Sequence, residues 1–183
     1  KKYGKARIIT ATNVFAHIED VNLLMRNITQ VLEKDGVFIS ESHYLVSLIL
    51  TNQYDTIYHE HLRFYSLTSL KYLFDKYGLT IFHAKKINTH GGSIRVYVTK
   101  NKKIKINKTV SKILKSEKKY LNWKTFRKFK KNVIQSKMDL YSLLKNIKKN
   151  NKKICGIGAP VRATSGKSYR LGLEIDAIFS IFD

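Results

Sequence analysis

The stretch ARIITATNVFAHIEDVNLLMRNITQVLEKDGVFISE, residues 6–41, decides the fold. Ala6–Thr12 is apolar and rich in β-branched residues, as a strand requires. Asn13–Asp20 interrupts it, and Val21–Leu32 then places Val21, Leu24, Ile28, Val31 and Leu32 at helical spacing. Lys34-Asp35-Gly36 ends that helix in a turn, and Val37–Ser40 reads as a second strand that closes at Glu41. Strand, helix and strand in this order give an α/β fold with a parallel sheet, in which ligands sit beyond the carboxyl ends of the strands. Asn13, His17, Glu41 and His43 fall at or just past those ends.

Downstream comes Tyr54–Ser66, YDTIYHEHLRFYS, and then a helix over Leu67–Tyr77 with Ser66 as its cap and Gly78 as its stop. Leu79–Ile87 and Ser93–Lys100 read as two strands joined by Asn88-Thr89-His90-Gly91-Gly92, a hairpin with glycines at the turn. A parallel sheet finished by an antiparallel hairpin is the closing arrangement of class I methyltransferases, a likeness of fold alone. Asn101–Lys108 reads as a linker. Helical spacing resumes at Thr109, with Val110, Ile113, Leu114 and Leu121 on one face. A longer stripe follows at Trp123, Phe126, Val133, Ile134, Met138, Tyr141 and Leu144, and its period predicts core packing rather than base stacking. Lys152–Ile157 then reads as a strand running into Gly158–Ser165, and Leu173–Phe182 begins another. A small-residue loop between a strand and a helix suits an anion, with Arg162 able to add a bidentate contact, although close strand–helix packing explains the same residues.

A chain of 183 residues with 43% apolar content can build one large domain or two small ones. The expected division is 1–100 for the α/β sheet and 101–183 for the helices and the second βα unit. No apolar run approaches the length of a membrane span and no leader precedes the first strand, so no membrane partner and a cytoplasmic location are expected. The first residue is Lys1 and a strand follows at once, which reads as a piece of a longer protein. Cys155 is the sole cysteine, so neither an internal disulfide nor a Cys-rich zinc site can form. The net charge of +22 raises a nucleic-acid partner. Most of it lies in Lys100–Lys153, where twenty basic residues, nearly all Lys, are scattered along helices; that pattern suits a solvated face better than base readout, and no nucleic acid is expected.

The chemistry concentrates in Tyr58-His59-Glu60-His61, which sets a phenol, a carboxylate and two imidazoles side by side. A neighbouring carboxylate or phenol can tune a histidine near neutrality, so proton transfer is one reading and plain packing the other. A metal is not expected, since His59 and His61 have no evident partner ligands. Gly156 and Gly158 lack the third glycine of a dinucleotide fingerprint, which weighs against an NAD-dependent oxidoreductase module.

Four stretches together resemble the sugar C-methyltransferases, which use S-adenosylmethionine to methylate nucleotide-linked keto sugars: Asn13–His17, Tyr54–His61, His90–Val96 and Gly158–Thr164. The resemblance implies the C-terminal half of a class I, Rossmann-like methyltransferase sheet, followed by helices and a truncated second Rossmann-like βα domain. It implies that His61 is the general base, with Tyr58, Glu60 and His17 around the sugar ring. It further implies that Asn13 lies where the methyl donor meets the substrate, and that Gly158, Ala159, Pro160, Arg162 and Thr164 hold the nucleotide of the nucleotide-linked keto sugar. Family members begin with a zinc module and a glycine-rich donor loop. Neither is in these residues, so half of a donor site, zinc only in an absent amino-terminal module, and no turnover by this stretch alone are expected. A nucleic-acid-binding protein and an NAD-dependent oxidoreductase module are the alternatives.

Overall fold

The computed structural model describes residues 4–57 and 60–154. Four strands form one sheet: β1 (Ala6–Thr12), β2 (Leu32–His43), β3 (Thr80–Ile87) and β4 (Ser93–Thr99), in the order β1-β2-β4-β3. β1 and β2 are parallel, while β4 is antiparallel to both β2 and β3. β3 therefore runs parallel to β2 one place away, and the hairpin folds β4 back into the gap between them. The expected parallel sheet with a closing antiparallel hairpin is present. The turn read at Lys34–Gly36 does not interrupt β2: pairing already holds at Ala6–Leu32 and resumes at Ile8–Val37, so the extra residues form a bulge within the strand.

Helix α1 (Val21–Val31) buries Val21 and Ile28 as the spacing predicts, and Met25, which the spacing did not name; Leu24 is half-buried, Val31 is exposed, and Leu32 is buried as the first residue of β2, while the Asp20 carboxylate accepts from the Leu23 N–H at 2.9 Å. A short helix, α2 (Leu45–Leu50), occupies the apolar run after β2. Helix α3 (Leu67–Lys76) opens on a reciprocal capping box between Ser66 and Ser69 and buries Leu67, Leu70 and Phe74. The core is aromatic at its centre: Phe15 stacks on Phe38 at 5.9 Å and meets Tyr65 and Phe74 edge-on at 6.0 and 6.1 Å. Phe15 belongs to the loop after β1, yet it is fully buried. One side chain thus pins the whole Asn13–Asp20 loop to the sheet.

Helix α4 (Lys108–Tyr120) packs Val110 and Ile113 against the same core. Residues 101–107, read as a linker, are tied to the sheet by the Asn107 N–H donating to the Phe82 carbonyl at 2.8 Å. Glu117 on α4 is 1% exposed, and its carboxylate accepts from the Leu67 and Thr68 N–H groups at 2.6 and 2.8 Å and from the Thr68 hydroxyl at 2.5 Å. A buried carboxylate from one helix thereby satisfies the orphan donors at the positive end of another. Burial first, then the Glu117 charge, holds the nearby Tyr44 phenol far above its usual range, so it stays neutral.

Helix α5 (Trp123–Lys149) corrects the reading of its apolar stripe. None of its residues is buried: Trp123 is 81% exposed, and Phe126, Ile134 and Met138 face solvent as well. Periodicity marks an amphipathic face but does not say what covers it. The helix touches the body through α2 and through Tyr54, whose hydroxyl lies 3.2 Å from Ser136 Oγ. Of the strand read over Lys152–Ile157, the described residues Lys152–Ile154 are in no strand. The loop Gly158–Thr164 and the strand read over Leu173–Phe182 lie outside the described residues. No described helix is long and apolar enough to cross a membrane.

Replacing Glu117 by Ala leaves the buried Leu67 N–H without a partner and removes the acceptor of the part-buried Thr68 N–H and hydroxyl. The expected loss in unfolding free energy is about 2–4 kcal/mol by urea titration; a change below about 0.5 kcal/mol, the range of ordinary surface substitutions, would deny the carboxylate this role.

Candidate active site

The carboxyl ends of β1 and β2, the α2–α3 connection and the β3–β4 turn enclose a cleft of about 510 Å³. Asn13, His17, His43 and His61 all line it, together with Ser42, Gln53, Thr56 and Gly91. His61 and His17 are far apart in sequence, and main-chain bonds join them. The Leu62 N–H donates to the Ala16 carbonyl at 2.8 Å, and Arg63 donates to the carbonyls of Ile18 and Glu19. The two imidazoles consequently meet edge to face, 4.9 Å between centroids.

His61 Nδ1 lies 2.9 Å from the Thr56 carbonyl oxygen. A carbonyl can only accept, so Nδ1 carries the proton and Nε2 of the neutral ring carries the lone pair. Burial pushes His61 below its ordinary value, against the pull of the Thr56 bond; His17 and His43 push it further down, and Glu60 opposes them. The imidazole is therefore a neutral base at physiological pH, with its basic nitrogen set by the backbone.

Asn13 sits at the end of β1 in the left-handed region, φ 55°. Its N–H donates to the Glu41 carbonyl at 2.9 Å, and its side-chain amide makes no hydrogen bond among the described residues. Glu41 is buried; its carboxylate accepts from Arg95 Nε at 2.8 Å and from the Thr89 hydroxyl at 3.2 Å, with the second Arg95 nitrogen at 2.7 Å. The carboxylate thus ties β4 and the hairpin turn to β2, and the Glu41 main-chain carbonyl ties the end of β1 to the same residue.

Of the residues singled out from the sequence, His61, His17 and Asn13 come together in the cleft. Glu60 is exposed and acts on His61 through its charge without lining the cavity. Tyr58, Gly158, Ala159, Pro160, Arg162 and Thr164 lie outside the described residues. Among the described residues no group of three or more His, Cys, Asp or Glu side chains is placed to hold a metal ion. Gln53, Thr56, Ser42 and Gly91 were not foreseen. Thr56 and Gln53 enter through hydrogen bonds to His61 and His43, and Gly91 through one to Gln53, which no periodicity reveals; the Ser42 hydroxyl has no partner among the described residues. The Gly91-Gly92 pair did announce a tight turn. A Cβ on Gly91, at φ +75°, would meet the Gln53 amide at 2.4 Å, and one on Gly92 would meet Ser47 Oγ at 2.5 Å.

A family model described as the C-methyltransferase C-terminal domain matches residues 88–183, and one described as a methyltransferase domain matches residues 1–84. The C-methyltransferase NovU of Streptomyces niveus is 30% identical over 167 residues, which is 90% of this chain and 40% of that protein. The chain thus spans less than half the length of that relative. Among solved structures, the magnesium protoporphyrin IX methyltransferase of Synechocystis PCC 6803 with bound SAH overlaps 54% of this chain and 46% of its own, at 12% identity and a TM-score of 0.42.

Gly91→Ala forces a side chain into the left-handed region and displaces the Gln53 amide. It is expected to cost about 2–3 kcal/mol, against about 1 kcal/mol for Gly78→Ala, where φ is also positive but the space is open. Thermal unfolding of the two variants compares them directly; equal losses would show that Gln53 does not depend on the turn.

Proposed function

The chain belongs to the C-methyltransferase family, and from that premise we propose that it carries the substrate half of an enzyme that methylates a carbon next to the ketone of a nucleotide-linked deoxy-keto sugar. The observation that carries this reading is the Thr56 carbonyl bond to His61 Nδ1, which presents Nε2 as a neutral base at a cleft. A sugar carbon is not a nucleophile until a proton beside the carbonyl is removed. In this reading His61 Nε2 takes that proton, the C–H electron pair forms the enolate, and the charge passes to the former carbonyl oxygen. His17, 4.9 Å away, and Tyr58 are the proposed donors to that oxygen. Glu60 stabilises the imidazolium that results, by the same charge that opposes the lowering of the His61 pKa.

S-adenosylmethionine, when bound, supplies an electrophilic methyl group on a sulfonium that departs as a neutral thioether. Asn13 fits a contact to it: the amide lines the cleft at the end of β1 and makes no hydrogen bond among the described residues, while its main chain is held by Glu41. Holding both partners in line supplies much of the remaining acceleration. In the same proposal the part of residues 101–183 beyond α4 acts as a second domain, whose Gly158–Thr164 loop binds the nucleotide; α4 itself packs into the core of the sheet.

Two measurements on the intact protein test the base. With a keto-sugar nucleotide bound, His61→Ala is expected to slow solvent deuterium exchange beside the ketone by about 10²–10⁴-fold, and exchange at the parental rate would remove His61 from the role. Because the imidazole works deprotonated and its pKa lies below 6.5, the exchange rate should fall only as pH drops through a value under 6.5; an acid limb above 6.5 would contradict the reading.

A further inference from the structure

Ser42, His43, Gln53 and Gly91 make up a second polar stretch of the cleft wall that proton abstraction does not use. The Gly91 carbonyl oxygen can only accept, so the Gln53 atom 2.7 Å from it is the amide nitrogen, which also donates to the Thr51 hydroxyl. The amide oxygen is thereby turned to His43 Nε2, 2.9 Å away, and must accept from it. Nε2 keeps its proton in either charge state, so the neutral ring carries its lone pair on Nδ1. The His43 ring makes no other hydrogen bond among the described residues. Next to it, Ser42 is 2% exposed, and its hydroxyl is buried with no hydrogen-bond partner among the described residues. That hydroxyl has no exposed surface, so the acceptor in this stretch of wall that no described residue uses is His43 Nδ1.

The cleft thus holds two imidazoles in opposite tautomers. Thr56 sets His61 with Nε2 basic, while Gln53 sets His43 with Nδ1 basic. We propose that His43 forms a hydroxyl-recognition subsite in which its Nδ1 accepts a hydrogen bond from a sugar hydroxyl. His43 is then a specificity-determining residue that selects a substrate bearing a free hydroxyl near the reacting carbon. The inference rests on the methyl-transfer reading only for the identity of the ligand as a carbohydrate. A deoxy analogue would cover the half-buried His43 ring and leave its Nδ1 acceptor unpaired, which sites built around a hydroxyl reject strongly.

The test uses the intact protein, S-adenosylmethionine and two dTDP-linked keto sugars that differ only in one hydroxyl on a carbon next to the methylated one. The parent should prefer the hydroxylated sugar in kcat/KM by about tenfold or more, and His43→Phe, which keeps a ring and removes the acceptor, should bring the ratio close to one while deuterium exchange beside the ketone continues. An unchanged ratio in His43→Phe overturns the subsite and leaves methyl transfer standing. No exchange and no methylation of either sugar by the parent overturns both. Nitrogen-15 NMR of the unmodified protein gives a check that no folding defect can blur: the neutral His43 ring should carry its proton on Nε2, and a proton found on Nδ1 would overturn the assignment.

Discussion

The buried Glu41 carboxylate is the contact on which the site's architecture depends. It lies near the end of the central strand β2, bound by Arg95 from β4 and by Thr89 from the hairpin turn, and its own carbonyl holds the Asn13 N–H. Removing a charge from water costs several kcal/mol, and only partners placed as well as these offset it. The carboxylate's partners come from β4 and from the hairpin turn, while the same residue's main-chain carbonyl holds the end of β1, so one residue sets the positions of three elements that border the cleft. The ion pair, buried on the Glu41 side and open to solvent on the Arg95 side, thus serves chiefly to fix geometry.

Around that contact, apolar burial and main-chain bonding divide the work. Phe15 anchors the loop after β1 while its neighbours Asn13 and His17 remain at the cavity. Main-chain bonds from Leu62 and the Arg63 guanidinium then draw the His61 segment onto that loop. Helix α4 enters the same body through Glu117, which caps α3 from fifty residues away. The sheet and helix α4 therefore share one core, even though two family models divide the chain near residue 84.

Much of the architecture was legible because burial imposes a period. Val21 and Ile28 fall on the buried face of α1 as their spacing predicts, and β1, β3, β4 and the glycine turn lie close to where propensity puts them, while β2 starts at Leu32 rather than Val37. The same logic failed on α5, where an apolar stripe from Trp123 to Leu144 has the right spacing but no buried member. Spacing records that a face is amphipathic; the partner that covers such a face is a separate fact. The site followed a similar division. His17, His61 and Asn13 were readable as strand-end and motif residues, whereas the use of His43 depends on Gln53, ten residues on, and on the Gly91 carbonyl thirty-eight beyond that. Tautomers are set by such bonds, and they leave no trace in hydropathy or charge.

The most direct measurement is a crystal structure of the intact protein with a nucleotide-linked keto sugar and S-adenosylhomocysteine bound. The account predicts the carbon beside the ketone about 3–3.5 Å from His61 Nε2, the separation at which a proton can pass. A sugar seated in the same cleft with that carbon out of reach of His61, or a His61 ring turned so that Nε2 rather than Nδ1 meets the Thr56 carbonyl, would contradict it.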